Sequence, residues 1–127
     1  MKKETPQRYL ENAKEALSKA GLEDNYYTDI KYVKSAFGIA YLGVLKAIGD
    51  YLIKRGVGQR ELPRRIEEYQ KALKKYSVHN GKLLGQFNAL YHELHIAGYY
   101  HGDLRSIDTV KASFKSAKDF IGKLSAK

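Results

Sequence analysis

The stretch Tyr91-His92-Glu93-Leu94-His95-Ile96-Ala97-Gly98-Tyr99-Tyr100-His101-Gly102-Asp103 gathers most of the side chains in this sequence that could do chemistry. His92 and His95 are three apart, and Tyr99 lies four beyond His95, so all three fall on neighbouring positions of a helix. Neutral imidazole is a common metal ligand. Yet His-x-x-His lacks the third ligand of a catalytic zinc site, and the second His is one residue short of His-Glu-x-x-His. The Glu-x-x-His pattern of di-iron bundles is also missing. His101, Asp103 and Arg105 follow at a turn, where an Asp can orient a His for acid–base work. The plainer expectation is a polar site of His92, His95, Tyr99, His101 and Asp103 at a helix edge, with no metal, no cofactor and no catalytic residue assigned. An enzyme centred on His92, His95 and His101 ranks behind two binding readings.

The second candidate is electrostatic. The chain has 127 residues and a formal net charge of +9. Lys54–Lys82 holds nine basic residues against Glu61, Glu67 and Glu68, a local excess of six, whereas Leu83–Leu104 has no Lys or Arg. Arg60, Arg64, Arg65, Lys71, Lys74 and Lys75 are therefore candidate nucleic-acid contacts, since cations on one face displace counterions from phosphates. Eleven tyrosines offer stacking partners. Glu67 and Glu68 interrupt the patch, and no DNA- or RNA-binding motif is present. A phosphate-cradling Gly-x-x-x-x-Gly-Lys-Ser/Thr loop is absent.

The elements that must position these residues are helices. Ile30, Val33, Phe37, Ala40, Val44, Ala47 or Ile48, and Tyr51 recur at spacings of three and four over Ile30–Lys54. Thr28 and Asp29 suit its start, and Gly56 and Gly58 its stop. Lys31, Lys34, Lys46 and Asp50 argue against a membrane span. Gly38, Gly43 and Gly49 lie inside it, each at a cost of about 1 kcal/mol against Ala, and are either close-packing sites or tolerated weak points. Thr5-Pro6 opens a first helix that ends near Gly21, and turn-forming residues follow over Leu22–Tyr27. Pro63 is expected to open a third helix with Ile66, Tyr69, Leu73 and Tyr76 inward. The pattern breaks at Ser77-Val78-His79-Asn80-Gly81, and a fourth helix is expected over Lys82–Tyr100. Ser106 caps a fifth, whose seam is Ile107, Val110, Phe114, Ala117, Ile121 and Leu124. No strand pattern is visible. The fold class is all-α: one domain, an up-down antiparallel bundle of four to five helices, with one arm broken near Ser77–Gly81.

The chain has no Cys, which removes disulfides and thiolate chemistry. Residues Met1 to Leu10 are charged and carry no signal-peptide core, so a cytoplasmic location and no membrane partner are expected. The last helix's seam and the abundant Tyr suggest self-association as a homodimer, with a protein partner unspecified.

Three segments carry a resemblance: Tyr9-Leu10-x-x-Ala13-x-x-Ala16-Leu17, Lys34-Ser35-Ala36-Phe37-Gly38-Ile39-Ala40-Tyr41, and Leu94-His95-x-x-Gly98-Tyr99-Tyr100-x-Gly102. Together they resemble a family of small bacterial all-α proteins of unknown function over nearly the whole chain. The helix layout also resembles HEPN-type bundles, which include ribonucleases and toxin components. Those nucleases carry an Arg followed four to six residues later by a His. Here the nearest pair, His101 and Arg105, is in the reverse order, so no catalytic residue carries over. The narrower resemblance implies only an uncharacterised protein, and the HEPN-type layout implies a bundle that is non-catalytic or uses other residues. The residues themselves favour a non-enzymatic, self-associating interaction module, with a HEPN-like RNA- or DNA-associated bundle as the alternative.

Overall fold

The computed structural model describes residues 4–77 and 80–126. Val78 and His79, in the middle of the expected break, lie outside the described residues, as do 1–3 and Lys127. Five α-helices carry the fold: α1 (Pro6–Leu17), α2 (Ile30–Lys54), α3 (Ile66–Tyr76), α4 (Lys82–Leu90) and α5 (Ile107–Ser125). Three starts are side-chain capped. Thr5 Oγ1 accepts the Arg8 N–H, Asp29 Oδ1 the Lys31 N–H, and Ser106 Oγ the Thr109 N–H.

α2 is the axis of the molecule. By length and composition alone it could cross a membrane, but here Val33, Phe37, Ala40, Val44, Ile48 and Leu52 are fully enclosed by its neighbours. α1 runs antiparallel to it. The end of α1 meets the start of α2 through the Asp29 N–H to Ala20 carbonyl bond. The start of α1 meets the middle of α2, where a Cβ on Gly43 would come within 2.9 Å of Tyr9 Cβ and 3.2 Å of the Pro6 carbonyl. α5 lies on another face, with Phe114 edge-on to Phe37 at 5.5 Å between ring centres. At the far end, buried Tyr51 of α2 donates its hydroxyl to the Tyr76 carbonyl of α3. One continuous apolar cluster joins all five helices.

The expected all-α bundle is the fold, with three local departures. First, the link between α1 and α2 contains a minimal hairpin, β1 (Leu22–Glu23) and β2 (Tyr26–Tyr27), antiparallel with Leu22 opposite Tyr27. Asp24 and Asn25 make its two-residue turn at φ 51° and 70°, the left-handed geometry that such turns require. The Ile107 N–H donates to the Asn25 carbonyl and the Tyr27 N–H to the Arg105 carbonyl, tying the hairpin to the start of α5. Second, Pro63 does not open α3. A short 3₁₀ turn (Gln59–Glu61) precedes it, and α3 starts at Ile66 because Glu68 reaches back to accept the backbone N–H of Arg64 and Arg65 at 2.7 and 3.1 Å. Third, the fourth helix continues past Leu90 only by widening into a π-helix over Tyr91–His101, which ends at Gly102 with φ 67°.

The α5 seam is closed within the chain. Val110, Phe114, Ala117, Ile121 and Leu124 are all buried. That removes this seam as a surface for a second copy.

Candidate functional site

An eleven-residue π-helix is unusual, because such turns occur mostly singly and often at functional sites. It packs tightly on α2. At Gly98 the two backbones approach so closely that an added Cβ would overlap the Phe37 ring. At Gly38 an added Cβ would stand 2.8 Å from the Tyr99 ring. Two glycines, one on each helix, thus let Phe37 and Tyr99 seat against the opposite backbone. Gly38 and Gly43 are close-packing positions; Gly49 meets nothing nearer than Leu62 Cδ1 at 3.9 Å.

Residues four apart are neighbours along this segment. Tyr91, His95 and Tyr99 form a ladder, with His95 stacked between Tyr91 at 5.5 Å and Tyr99 at 5.8 Å. Tyr41 of α2 closes it from the side, 4.8 Å from His95 and 6.0 Å from Tyr91. Burial pushes the Tyr41 hydroxyl far above its ordinary pKa, and the neighbouring Tyr91 and Tyr69 hydroxyls add to the effect. Tyr41 therefore stays protonated throughout the physiological range.

Of the five residues expected to share a polar site, the structure brings His95 and Tyr99 together. His92 faces solvent, edge-on to Tyr91 at 5.3 Å. His101 faces solvent against the edge of Tyr100 at 5.0 Å. Asp103 lines a separate depression with Tyr26, Tyr27, Arg105 and Thr109. Among the described residues no hydrogen bond joins any His to a carboxylate, and no three His, Asp or Glu converge as metal ligands would. What the ladder offers is a stack of flat rings with one exposed end at Tyr99. Sequence spacing found His95 and Tyr99. It missed Tyr41, which arrives from α2, and misplaced His92, because a three-residue step shares a face only at α-helical pitch.

One buried polar contact braces the same segment. Ser113, enclosed on α5, donates its hydroxyl to Glu93 Oε1. It ties the outer face of the π-helix to α5.

The six candidate nucleic-acid contacts are all exposed. Arg60 lies on the 3₁₀ turn, Arg64 and Arg65 lead into α3, and Lys71, Lys74 and Lys75 sit on α3. None of them is within ion-pairing distance of a carboxylate among the described residues, where the three pairs are Arg8–Glu11, Lys46–Asp50 and Lys115–Asp119. Glu68 is committed to the backbone N–H groups of Arg64 and Arg65, which hold its carboxyl below the usual range.

Comparison with known proteins agrees with this architecture. A family model described as a domain of unknown function (DUF5618) matches residues 1–126. A protein of unknown function from Dyadobacter fermentans has a similar structure: TM-score 0.75, 32% sequence identity, covering 94% of this chain and 88% of that one. The curated proteins give no match. Neither the family description nor the structural neighbour names a HEPN protein. A match over essentially the whole length makes this chain a member of the DUF5618 family.

Proposed function

We propose that the chain is a non-enzymatic interaction module that pairs with a second copy of itself along the solvent-facing strip of α2. The observation that carries this reading is an apolar line on a core helix that the chain leaves uncovered. Leu42 is 52% exposed and Ile53 41% exposed, with Leu45 and Gly49 between them. The positions 42, 45, 49 and 53 follow one helix face. A Cβ on Gly49 would touch only Leu62 Cδ1, at 3.9 Å, so the helix carries a small and uncrowded position there for a second copy to approach. Tyr9, Leu62 and Tyr69 flank the strip and extend its apolar area.

The charges beside the strip favour a two-fold partner. Lys46 pairs with Asp50 at 3.2 Å. An antiparallel α2 pair with its axis near residue 48 sets Leu42 across from Ile53 of the second copy, and Lys46 across from its Asp50. Symmetric interfaces of this kind need self-complementary patches, and this strip is one.

Light scattering on a size-exclusion column tests the idea. The wild type is expected to elute as a dimer, and Leu42→Glu or Ile53→Glu as a folded monomer. Lys46→Glu alone should weaken pairing, and Lys46→Glu with Asp50→Lys should restore it. A wild type that stays monomeric at about 100 µM sinks the reading, since that concentration lies far above the Kd of a specific homodimer.

A second reading has its own support. The six basic side chains around α3 are exposed, none is within ion-pairing distance of a carboxylate among the described residues, and Glu68, whose charge acts on Arg64 and Arg65, spends its hydrogen bonds on their backbone N–H groups. Contact with phosphates would then show as binding of a short single-stranded RNA that falls steeply with salt and disappears in Arg64→Glu/Lys71→Glu. Retained binding in that variant removes α3 from the account.

A further inference from the structure

On the side of the molecule formed by α1 and α5, a groove of about 500 Å³ runs between the two helices. Leu10, Leu17, Val110 and Phe114 make its floor, and Tyr27 of the hairpin closes one end. Its rim is cationic on both banks, with Lys14 on α1 and Lys111, Lys115 and Lys118 on α5. No carboxylate lines it. Lys115 pairs with Asp119 at 3.3 Å, while Lys14, Lys111 and Lys118 have no acidic partner within ion-pairing distance among the described residues.

We propose that this groove binds a small amphiphilic carboxylate, a fatty-acid-like molecule whose chain lies on the apolar floor and whose head is held by the lysine rim. Three observations select that occupant. The volume falls within the range of small-molecule sites, roughly 300–1,000 Å³. An apolar floor under an all-cationic rim matches a ligand with an apolar body and one negative end, and opposes neutral or cationic ones. An amphipathic acidic helix is the competing occupant, but one turn of a helix roughly 10–12 Å across and 5.4 Å long already fills about 400–600 Å³. The groove thus holds about one helical turn, short of the two turns over which groove-bound helices place their anchors. Nucleic acid fits poorly, because Phe114 is buried edge-on against Phe37 and Tyr27 is left as a single partly exposed ring, where stacking of successive bases needs several. The lysines sit on α1 and α5, apart from the α2 strip, so the site stands or falls independently of self-association.

Titration calorimetry of the whole chain with decanoate and with decan-1-ol tests the proposal. Decanoate is expected to bind saturably, one per chain, with Kd on the order of tens of micromolar. Decan-1-ol, which keeps the chain and loses the charge, should bind at least about tenfold more weakly, as should decanoate to Lys111→Glu/Lys118→Glu. Both lysines are on the surface, so this variant keeps its fold, which circular dichroism checks. The matched variant Lys71→Glu/Lys74→Glu removes the same charge elsewhere and should bind decanoate like the wild type. Four results overturn the proposal: no saturable binding, equal binding of the alcohol, equal loss in the matched variant, or preference for an acidic amphipathic peptide at the same lysines. The last would assign the groove to a protein partner.

Discussion

At the scale of single residues, glycines decide how close the helices come. Gly98 stands where a methyl group would overlap Phe37, and both partners are buried in the core. Gly98→Ala is expected to cost about 1–3 kcal/mol, because the Phe37 ring must leave its rotamer or the π-helix must move away. Gly122, on the outer face of α5, meets nothing within 4 Å. There Ala adds helix propensity without a clash, so Gly122→Ala should gain about 0.5–1 kcal/mol. Thermal unfolding of the two variants side by side reads opposite signs; a harmless Gly98→Ala would show that the close approach is loose. Tyr41 provides a pH signature. Burial raises its folded-state pKa above the unfolded value, so the unfolded chain loses this proton first as pH climbs past 10. Its contribution is complete below pH 10 and declines above, by up to about 1.4 kcal/mol per pH unit. Tyr27 and Tyr69 shift the same way, both through burial, with the Glu68 charge adding to Tyr69. Tyr41→Phe should flatten the loss of stability between pH 10 and 11 relative to wild type, measured by urea unfolding. An unchanged slope would assign the effect to the other two tyrosines.

At the scale of elements, legibility followed the length of each signal. α2 spans 25 residues, enough for its three-four spacing to repeat and for its caps to be read, and its bounds are the expected ones. The hairpin strands have two residues each, too few for alternation to register, although Asp24-Asn25 marked the turn. The π-helix had no readable signature. Its pattern reads as ordinary helix, and the contacts that go with the wider turn, Phe37 and Tyr99 seated against glycines on the opposite helix, lie between elements far apart in the chain. The candidate site inherited that gap in part: the three-residue step that set His92 beside His95 does not hold in the wider turn, whereas the four-residue step from Tyr91 to His95 was present in the spacing and was not used. Pro63 misled because a helix-opening residue was read without the competing capping carboxylate of Glu68. The α5 seam was legible as a pattern but not in its destination, for a heptad-like line looks the same facing its own core or a second chain. Phe114 lies on that seam, 7% exposed, against Phe37. Phe114→Glu should therefore destabilise the fold instead of merely releasing a monomer, since it removes the ring packed on Phe37 and its carboxylate can reach the rim lysines only by leaving the core, and Phe114→Ala should cost about 3–5 kcal/mol. A folded, monomeric Phe114→Glu would return the seam to the interface.

At the scale of the whole molecule, charge opposes compaction. The chain carries +9, and the three ion pairs among the described residues are exposed or half-exposed helix pairs, each worth little. Lysines without an acidic partner among the described residues occupy both the α3 face and the rim of the α1–α5 groove, so repulsion acts at separate places on one core. Salt shortens the reach of that repulsion to about 10 Å at 0.1 M and 30 Å at 0.01 M. The folded state, which holds the charges closest together, gains most from the screening. The Tm is therefore expected to rise by about 2–5 °C between 10 and 200 mM sodium chloride at pH 7, the shift that roughly 1 kcal/mol produces in a domain of this size. Lys71→Glu/Lys74→Glu lowers the net charge by four and should be more stable at low salt, with a smaller rise on adding it. A Tm that falls with salt would mean that attraction outweighs repulsion. In that case the exposed lysines already have partners on the surface, and neither the groove nor the α3 face holds charge in reserve for a ligand.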